Sequence, residues 1–174
     1  MIKGKKVVLG PVLRESLEQL RQWRNNPELR KYFREHREIS PDMQLDWYEN
    51  RVSNNQNQVD FEIRTSNVLI GHCGLYYIKW KDRVAEFTIY IGDMRYRNGG
   101  YGSDALRTLI KYGFDELNLH RIWCEVYSNN TAIDVYRRLG FKDEGILRQH
   151  HWCNGGYLDS HMLGLLREEW ETNA

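Results

Sequence analysis

The chain has 174 residues, 41% of them hydrophobic and 13% aromatic, enough for one sizeable core and too few for two comfortable domains, so a single domain over residues 1–174 is expected. Twenty-five basic residues against 24 acidic ones leave a formal net charge of +1, which gives no global reason to expect a nucleic-acid or membrane partner. The apolar N-terminal stretch stops at Gly10-Pro11, no run approaches the roughly 18 residues of a membrane span, and the odd, unpaired set Cys73, Cys124 and Cys153 reads as reduced thiols, so a cytoplasmic protein is expected.

In chain order, Val7 to Leu13 reads as a strand, and Leu17, Leu20 and Trp23 open a helical stripe that Pro27 interrupts. Ser40 is placed to cap a second helix with Pro41 at its first position, carrying Met43, Leu45, Trp47, Tyr48 and Val52. Strands follow at 59–65, 68–80 and 84–91, with turns at Ser66-Asn67 and Lys81-Asp82 that suit an antiparallel meander. After a glycine-rich loop, Ala105, Leu106, Leu109, Ile110, Gly113, Phe114 and Leu117 recur at helical spacing. A strand at 121–127, a helix at 131–139 ended by Gly140, and a hairpin of 141–152 with 156–166 around Asn154-Gly155 complete the pattern. These elements predict an α/β fold: a mixed, mostly antiparallel sheet of about seven strands with helices on both faces.

The segment Arg97-Asn98-Gly99-Gly100-Tyr101-Gly102-Ser103 lies between an alternating strand and an amphipathic helix. That order points backbone N–H groups and the positive end of a helix dipole at one place, a natural pyrophosphate cradle, although a glycine cluster alone also serves as a simple turn. No Lys-Ser/Thr follows the glycines and their spacing is not that of a dinucleotide fingerprint, which disfavours ATP and NAD.

Downstream, Asn129-Asn130-Thr131-Ala132 leads through Tyr136 to Leu139-Gly140-Phe141. Arg-x-x-Gly-x-Gly followed by Asn-x-x-Ala-x-x-x-Tyr-x-x-Leu-Gly-Phe resembles the GCN5-related N-acetyltransferases. The C-terminal run from Gly145 to Trp170 is similar to the branch with ribosomal-protein N-terminal, spermidine and amino-sugar-nucleotide acetyltransferases. The resemblance implies the acyl-CoA N-acyltransferase fold, acetyl-CoA as co-substrate without a metal, and acetyl transfer to a primary amine by direct attack on the thioester. It places main-chain groups of Ile89, Tyr90 and Ile91 against pantetheine, residues 97–103 against the pyrophosphate, and Asn129 on the pantetheine arm. Asn129 or Asn130 equally suits a helix cap.

Acetyl transfer asks for a base that takes a proton from the amine and an acid that serves the leaving thiolate. By the resemblance Tyr136 is the acid; its place in the stripe Ala132, Ile133, Val135, Leu139 also suits a core tyrosine. Glu86, on the face opposite Phe87 and Ile89, is the candidate base, with a structural ion pair to an arginine as the other reading; Glu62 and His72 stand in reserve. His72-Cys73 and His150-His151-Trp152-Cys153 lack metal-site spacing, and no metal is expected.

For the acceptor, Arg21, Arg24, Arg30, Arg34 and Arg37, interleaved with Trp23, Tyr32 and Phe33, suit an amine carrying phosphate or carboxylate, which favours an amino-sugar nucleotide. A protein or peptide N-terminus comes next and a polyamine last, with Glu28, Glu35 and Glu38 leaving open a solvated mixed-charge surface. A reading of another class is a non-catalytic acyl-CoA sensor. Trp80 and Trp152 offer a homodimer contact.

Overall fold

A computed structural model describes residues 1–173. Eight strands form one sheet: β1 (Ile2–Lys3), β2 (Val8–Pro11), β3 (Val59–Thr65), β4 (Val68–Lys79), β5 (Val84–Ile91), β6 (Arg121–Tyr127), β7 (Lys142–Cys153) and β8 (Gly156–Leu166), in the order β1-β2-β3-β4-β5-β6-β8-β7. The extra strand relative to about seven is β1, two residues that turn back onto β2 through Ile2↔Leu9 and Lys3↔Val8. The first expected strand shortens to Val8–Pro11, since Pro11 has no N–H to extend the ladder. Every neighbouring pair is antiparallel except β5 and β6. The hairpin turns fall where their residues tolerate a left-handed backbone: Ser66 and Asn67 at φ 46° and 67°, Asn154 and Gly155 at φ 50° and 81°.

The helices are α1 (Leu17–Asn25), α2 (Pro27–Arg30), α3 (Pro41–Trp47), α4 (Tyr101–Asp115), α5 (Ala132–Arg138) and α6 (Arg167–Asn173). Pro27 ends α1 as expected and also opens the four-residue α2, with Asn26 Oδ1 accepting from Glu28 N at 2.9 Å. Ser40 caps α3, its Oγ accepting from Met43 N at 3.2 Å.

Strand register sorts the two faces of the sheet by chemistry. Phe61, Cys73, Leu75, Phe87 and Ile89 share one face with Ile122 and Leu163, and α4 packs on it through Leu106, Leu109, Ile110 and Phe114. The alternate positions, Asp60, His72, Tyr76, Glu86, Tyr90 and Glu125, share the other face, beneath α1, α3 and a smaller cluster of Val12, Leu17 and Leu20. One side of the sheet is therefore core, and the other holds titratable side chains out of bulk water.

The N-terminal turn is tied to the start of α4. Buried Asp104 accepts from the backbone N–H groups of Lys5, Lys6 and Val7 at 3.1, 2.6 and 3.1 Å, while Lys6 Nζ donates to Gly99 O at 2.8 Å. A carboxylate with three charge-assisted bonds is costly to remove because three amides lose their acceptor. Asp104→Ala is expected to destabilise the protein by about 2–4 kcal/mol, read by thermal unfolding; wild-type stability in the variant would remove Asp104 from this role.

Candidate active site

The parallel pair β5/β6 is in register only at Val84↔Arg121, Ala85↔Ile122 and Glu86↔Trp123. Beyond Glu86 the strands part: β5 runs on to Ile91 against β4, and β6 to Tyr127 against β8. Main-chain groups along their facing edges lose sheet partners there, and backbone polar groups that leave a ladder need another partner. The parting opens a cavity of about 1740 Å³, walled by Phe87, Ile89, Tyr90 and Ile91 on one side and Cys124, Val126 and Tyr136 on the other.

At one end of this cavity sits the glycine loop. Gly100 has φ +81°, a conformation that side chains disfavour, and it turns the chain into α4, whose first N–H groups have no side-chain cap. Arg97 enters the cavity with Nε donating to Ile91 O at 3.0 Å, while its Nη2 is buried without a partner. An unpartnered guanidinium nitrogen beside uncapped helix amides fits an anionic group, and the unpaired β5 edge fits an amide-bearing arm. Asn98, Gly102 and Ser103 also line the cavity, whereas Gly99 and Tyr101 stand behind it, engaged with Lys6 by a hydrogen bond to Gly99 O and by its ammonium over the Tyr101 ring at 5.5 Å.

Tyr136, on α5, reaches the cavity between Phe87 and Phe141, with ring centroids 5.0 and 6.3 Å away. Burial, with a smaller contribution from Cys124, pushes its hydroxyl well above the ordinary phenol value, so it holds its proton. Asn130, not Asn129, caps the turn before α5, its Oδ1 accepting from Ala132 N at 3.0 Å, and lines the cavity; Asn129 is exposed beside it, outside the wall.

Glu86 stands where the strands part, and both readings of it meet there. Arg34 donates through Nη1 to Oε2 at 3.0 Å and through Nη2 to Oε1 at 2.5 Å, and the same guanidinium bonds Glu125 Oε2 from Nε at 3.1 Å and Nη2 at 2.6 Å. Burial pushes the Glu125 carboxyl up, but the Ser160 hydroxyl and Arg34 more than offset it, so it titrates below its ordinary value. Of the reserves, Glu62 is fully buried and spent on Leu13 N and Arg64 Nε at 2.8 and 2.6 Å. His72 lines the cavity with Nε2 3.0 Å from Asp60 Oδ1 but outside hydrogen-bond geometry, its ring against Trp47 and Tyr90. Asp60, which also accepts from Tyr76 at 2.7 Å, went unnoticed in the sequence; its alternation with Phe61 was the available signal. No group of three or more His, Cys, Asp or Glu among the described residues is arranged to hold a metal.

Residues 6–142 match the family model described as "Acetyltransferase (GNAT) domain". The chain belongs to the GCN5-related N-acetyltransferases. It is 30% identical to an uncharacterized N-acetyltransferase p20 of Bacillus licheniformis, over 90% of each chain. It is also 30% identical to the spermidine N(1)-acetyltransferase of Escherichia coli, over 94% of this chain and 88% of that one. A solved spermidine N-acetyltransferase from Vibrio cholerae, in complex with CoA and spermine, superposes with a TM-score of 0.89 at 27% identity, covering 95% of this chain and 98% of that one. The chain is thus an N-acetyltransferase, and acetyl-CoA is its donor.

The amino-sugar-nucleotide acceptor finds no support among these relatives, and the structure gives a physical reason. Four of the five arginines that suggested a phosphate partner are already paired: Arg21 with Glu18, Arg30 with Glu38, Arg37 with Glu35, and Arg34 with Glu86 and Glu125; Arg24 stacks on Phe33 at 4.6 Å, with its Nε buried without a partner.

Two outcomes test the site. Arg97→Ala is expected to weaken acetyl-CoA binding about tenfold, on the scale of one charge-assisted contact, with the melting temperature little changed; equal donor affinity in the variant would put the anion elsewhere. Because the Glu125 carboxyl is held below 4.5, its ordinary value, its contribution to stability is complete above that pH and fades as pH falls below it. The gap in melting temperature between wild type and Glu125→Gln should therefore close on acidification, and a gap independent of pH would show that Glu125 contributes by packing alone.

Proposed function

We propose that the enzyme acetylates a primary amine of a polyamine. The observation that carries this reading is the pair of carboxylates, Glu86 and Glu125, set into the two strands where they part and facing the cavity, both holding one shared cation, Arg34. Two carboxylates against one guanidinium leave a net negative charge that attracts a cationic chain and repels a phosphate-bearing acceptor. The full-length likeness to spermidine N(1)-acetyltransferases supports the same acceptor class.

In this reading the pyrophosphate of acetyl-CoA lies on Arg97, Asn98, Gly100, Gly102 and Ser103, with direct contact from the α4 amides and Arg97, while Gly99 and Tyr101 back the loop from behind through Lys6. The pantetheine arm takes the strand edge of Ile89, Tyr90 and Ile91, with Asn130 at the cavity wall on the α5 side in place of the exposed Asn129. Glu86 accepts the proton of the incoming ammonium, the free amine attacks the thioester carbonyl, and the tetrahedral intermediate collapses with cleavage of the C–S bond. Tyr136, neutral because burial raises its pKa, donates its hydroxyl hydrogen bond to the departing sulfur. The nitrogen loses two protons, one to Glu86 before attack and one as the tetrahedral intermediate collapses to the amide; one restores the Tyr136 hydroxyl after its proton has passed to the thiolate, and the other leaves to solvent.

The three cysteines are free thiols, which supports a reducing, cytoplasmic setting. Exposed Trp152 and Tyr157, paired edge to face at 4.8 Å near the end of the β7/β8 hairpin, support a homodimer contact there, with Trp80 at a second exposed position.

The experiment is acetyl-CoA-dependent thiol release with spermidine, an N-terminal peptide and an amino-sugar nucleotide. Spermidine is expected to be the best acceptor, and Tyr136→Phe to lower kcat roughly a hundredfold with KM for acetyl-CoA nearly unchanged. A peptide preferred over spermidine overturns the acceptor, and an unchanged kcat in the variant overturns the role of Tyr136.

A further inference from the structure

Arg34 sits in the segment joining α2 to α3, outside the sheet whose two carboxylates it holds. The side chains of Glu86 and Glu125 are 8% and 10% exposed, that of Arg34 48%. The two anions are thus built into rigid strands, and the cation reaches in from solvent on an irregular loop. The loop is pinned at its far end by Asn25, which bonds both the N–H and C=O of Ile39 at 2.9 Å, and in its middle by Phe33 on Tyr90, centroids 5.3 Å apart. Two other charge pairs of this region, Arg30–Glu38 and Arg37–Glu35, join residues of the α2 end and the loop to each other, so they travel with it.

One guanidinium against two carboxylates leaves a net charge of −1, with His150 Nε2 3.8 Å from Glu125 Oε1 as the nearest further base. A polyamine carries several ammonium groups, each with the same charge and the same kind of N–H donors as the guanidinium, so two of them can replace Arg34 without leaving either carboxylate unpaired; a neutral or anionic acceptor cannot. We infer that Glu86 and Glu125 form the ammonium subsite of the acceptor, and that Arg34 is its resident occupant, displaced when a polyamine binds. This inference rests on the polyamine reading above. It makes Arg34 a specificity-determining residue: acceptors must outcompete an internal cation, which selects those carrying several positive charges.

The test measures spermidine binding by calorimetry and spermidine acetylation by steady-state kinetics, in wild type, Arg34→Ala and Arg34→Lys, with acetyl-CoA affinity as the control for an intact fold. Arg34→Ala is expected to bind spermidine about tenfold more tightly, the gain falling on KM. Arg34→Lys, whose ammonium cannot fork across both carboxylates, should gain about threefold. Spermidine affinity that is unchanged or weaker in a variant that still binds acetyl-CoA overturns the subsite. If Arg34→Ala fails to fold, Arg34→Lys decides by the same criterion. Tighter spermidine binding without acetylation of spermidine by any form would keep the subsite and overturn the acceptor reading. Acetylation by wild type with no gain in either variant would do the reverse.

Discussion

The parting of β5 from β6 after three paired residues is the constraint on which the rest depends. A sheet normally satisfies its backbone groups strand against strand, and here that satisfaction stops in the middle of the molecule. The molecule tolerates the break because each strand keeps its other neighbour, β4 for β5 and β8 for β6, so the sheet remains one body while the gap stays open. The gap then sets the position of everything functional. The glycine loop follows the free end of β5, the turn bearing Asn129 and Asn130 follows the free end of β6, and the two carboxylates mark the point of divergence.

Alternation along the strands distributes the chemistry from there. On β5, Phe87 and Ile89 enter the core beneath α4 while Glu86 and Tyr90 face the other way, so the same eight residues serve packing and site at once. The buried charges on that second face are held by partners: Glu62 by Arg64, Glu86 and Glu125 by Arg34. Such pairs are weak sources of stability but costly to break, which keeps the positions of the carboxylates defined. Tyr136 illustrates the converse, a neutral group kept neutral by aromatic neighbours.

Much of this was legible in the sequence. Strands at 59–65, 84–91 and 121–127 match their periodicity residue for residue, because apolar alternation and tolerant turn residues agree there. The Ser40 cap and the break at Pro27 follow from local chemistry alone. Pairings across long sequence separations were not legible. Nothing local to Arg34 names Glu86 and Glu125 as its partners, 52 and 91 residues away, and so a run of arginines read as a phosphate site when all but Arg24 were already ion-paired. Asp104 escaped notice for the same reason, since an acidic residue in the first turn of a helix is ordinary there and only the fold brings three distant amides to it.

That grip on Lys5, Lys6 and Val7 spans 97 to 99 residues of chain. The glycine loop at the start of α4 is therefore not braced by local contacts alone. Its bracing is completed only when a closure of nearly a hundred residues has been made, and contacts of such sequence separation bear a loop-closure entropy that must be met before they stabilise anything. The proposed donor site is thus assembled together with the sheet, and a partly folded chain lacking the N-terminal contact has the glycine loop unbraced. Acetyl-CoA, binding the native chain alone, shifts the folding equilibrium toward it by mass action, so the cellular level of the donor bears on how much folded enzyme exists as well as on how fast that enzyme turns over.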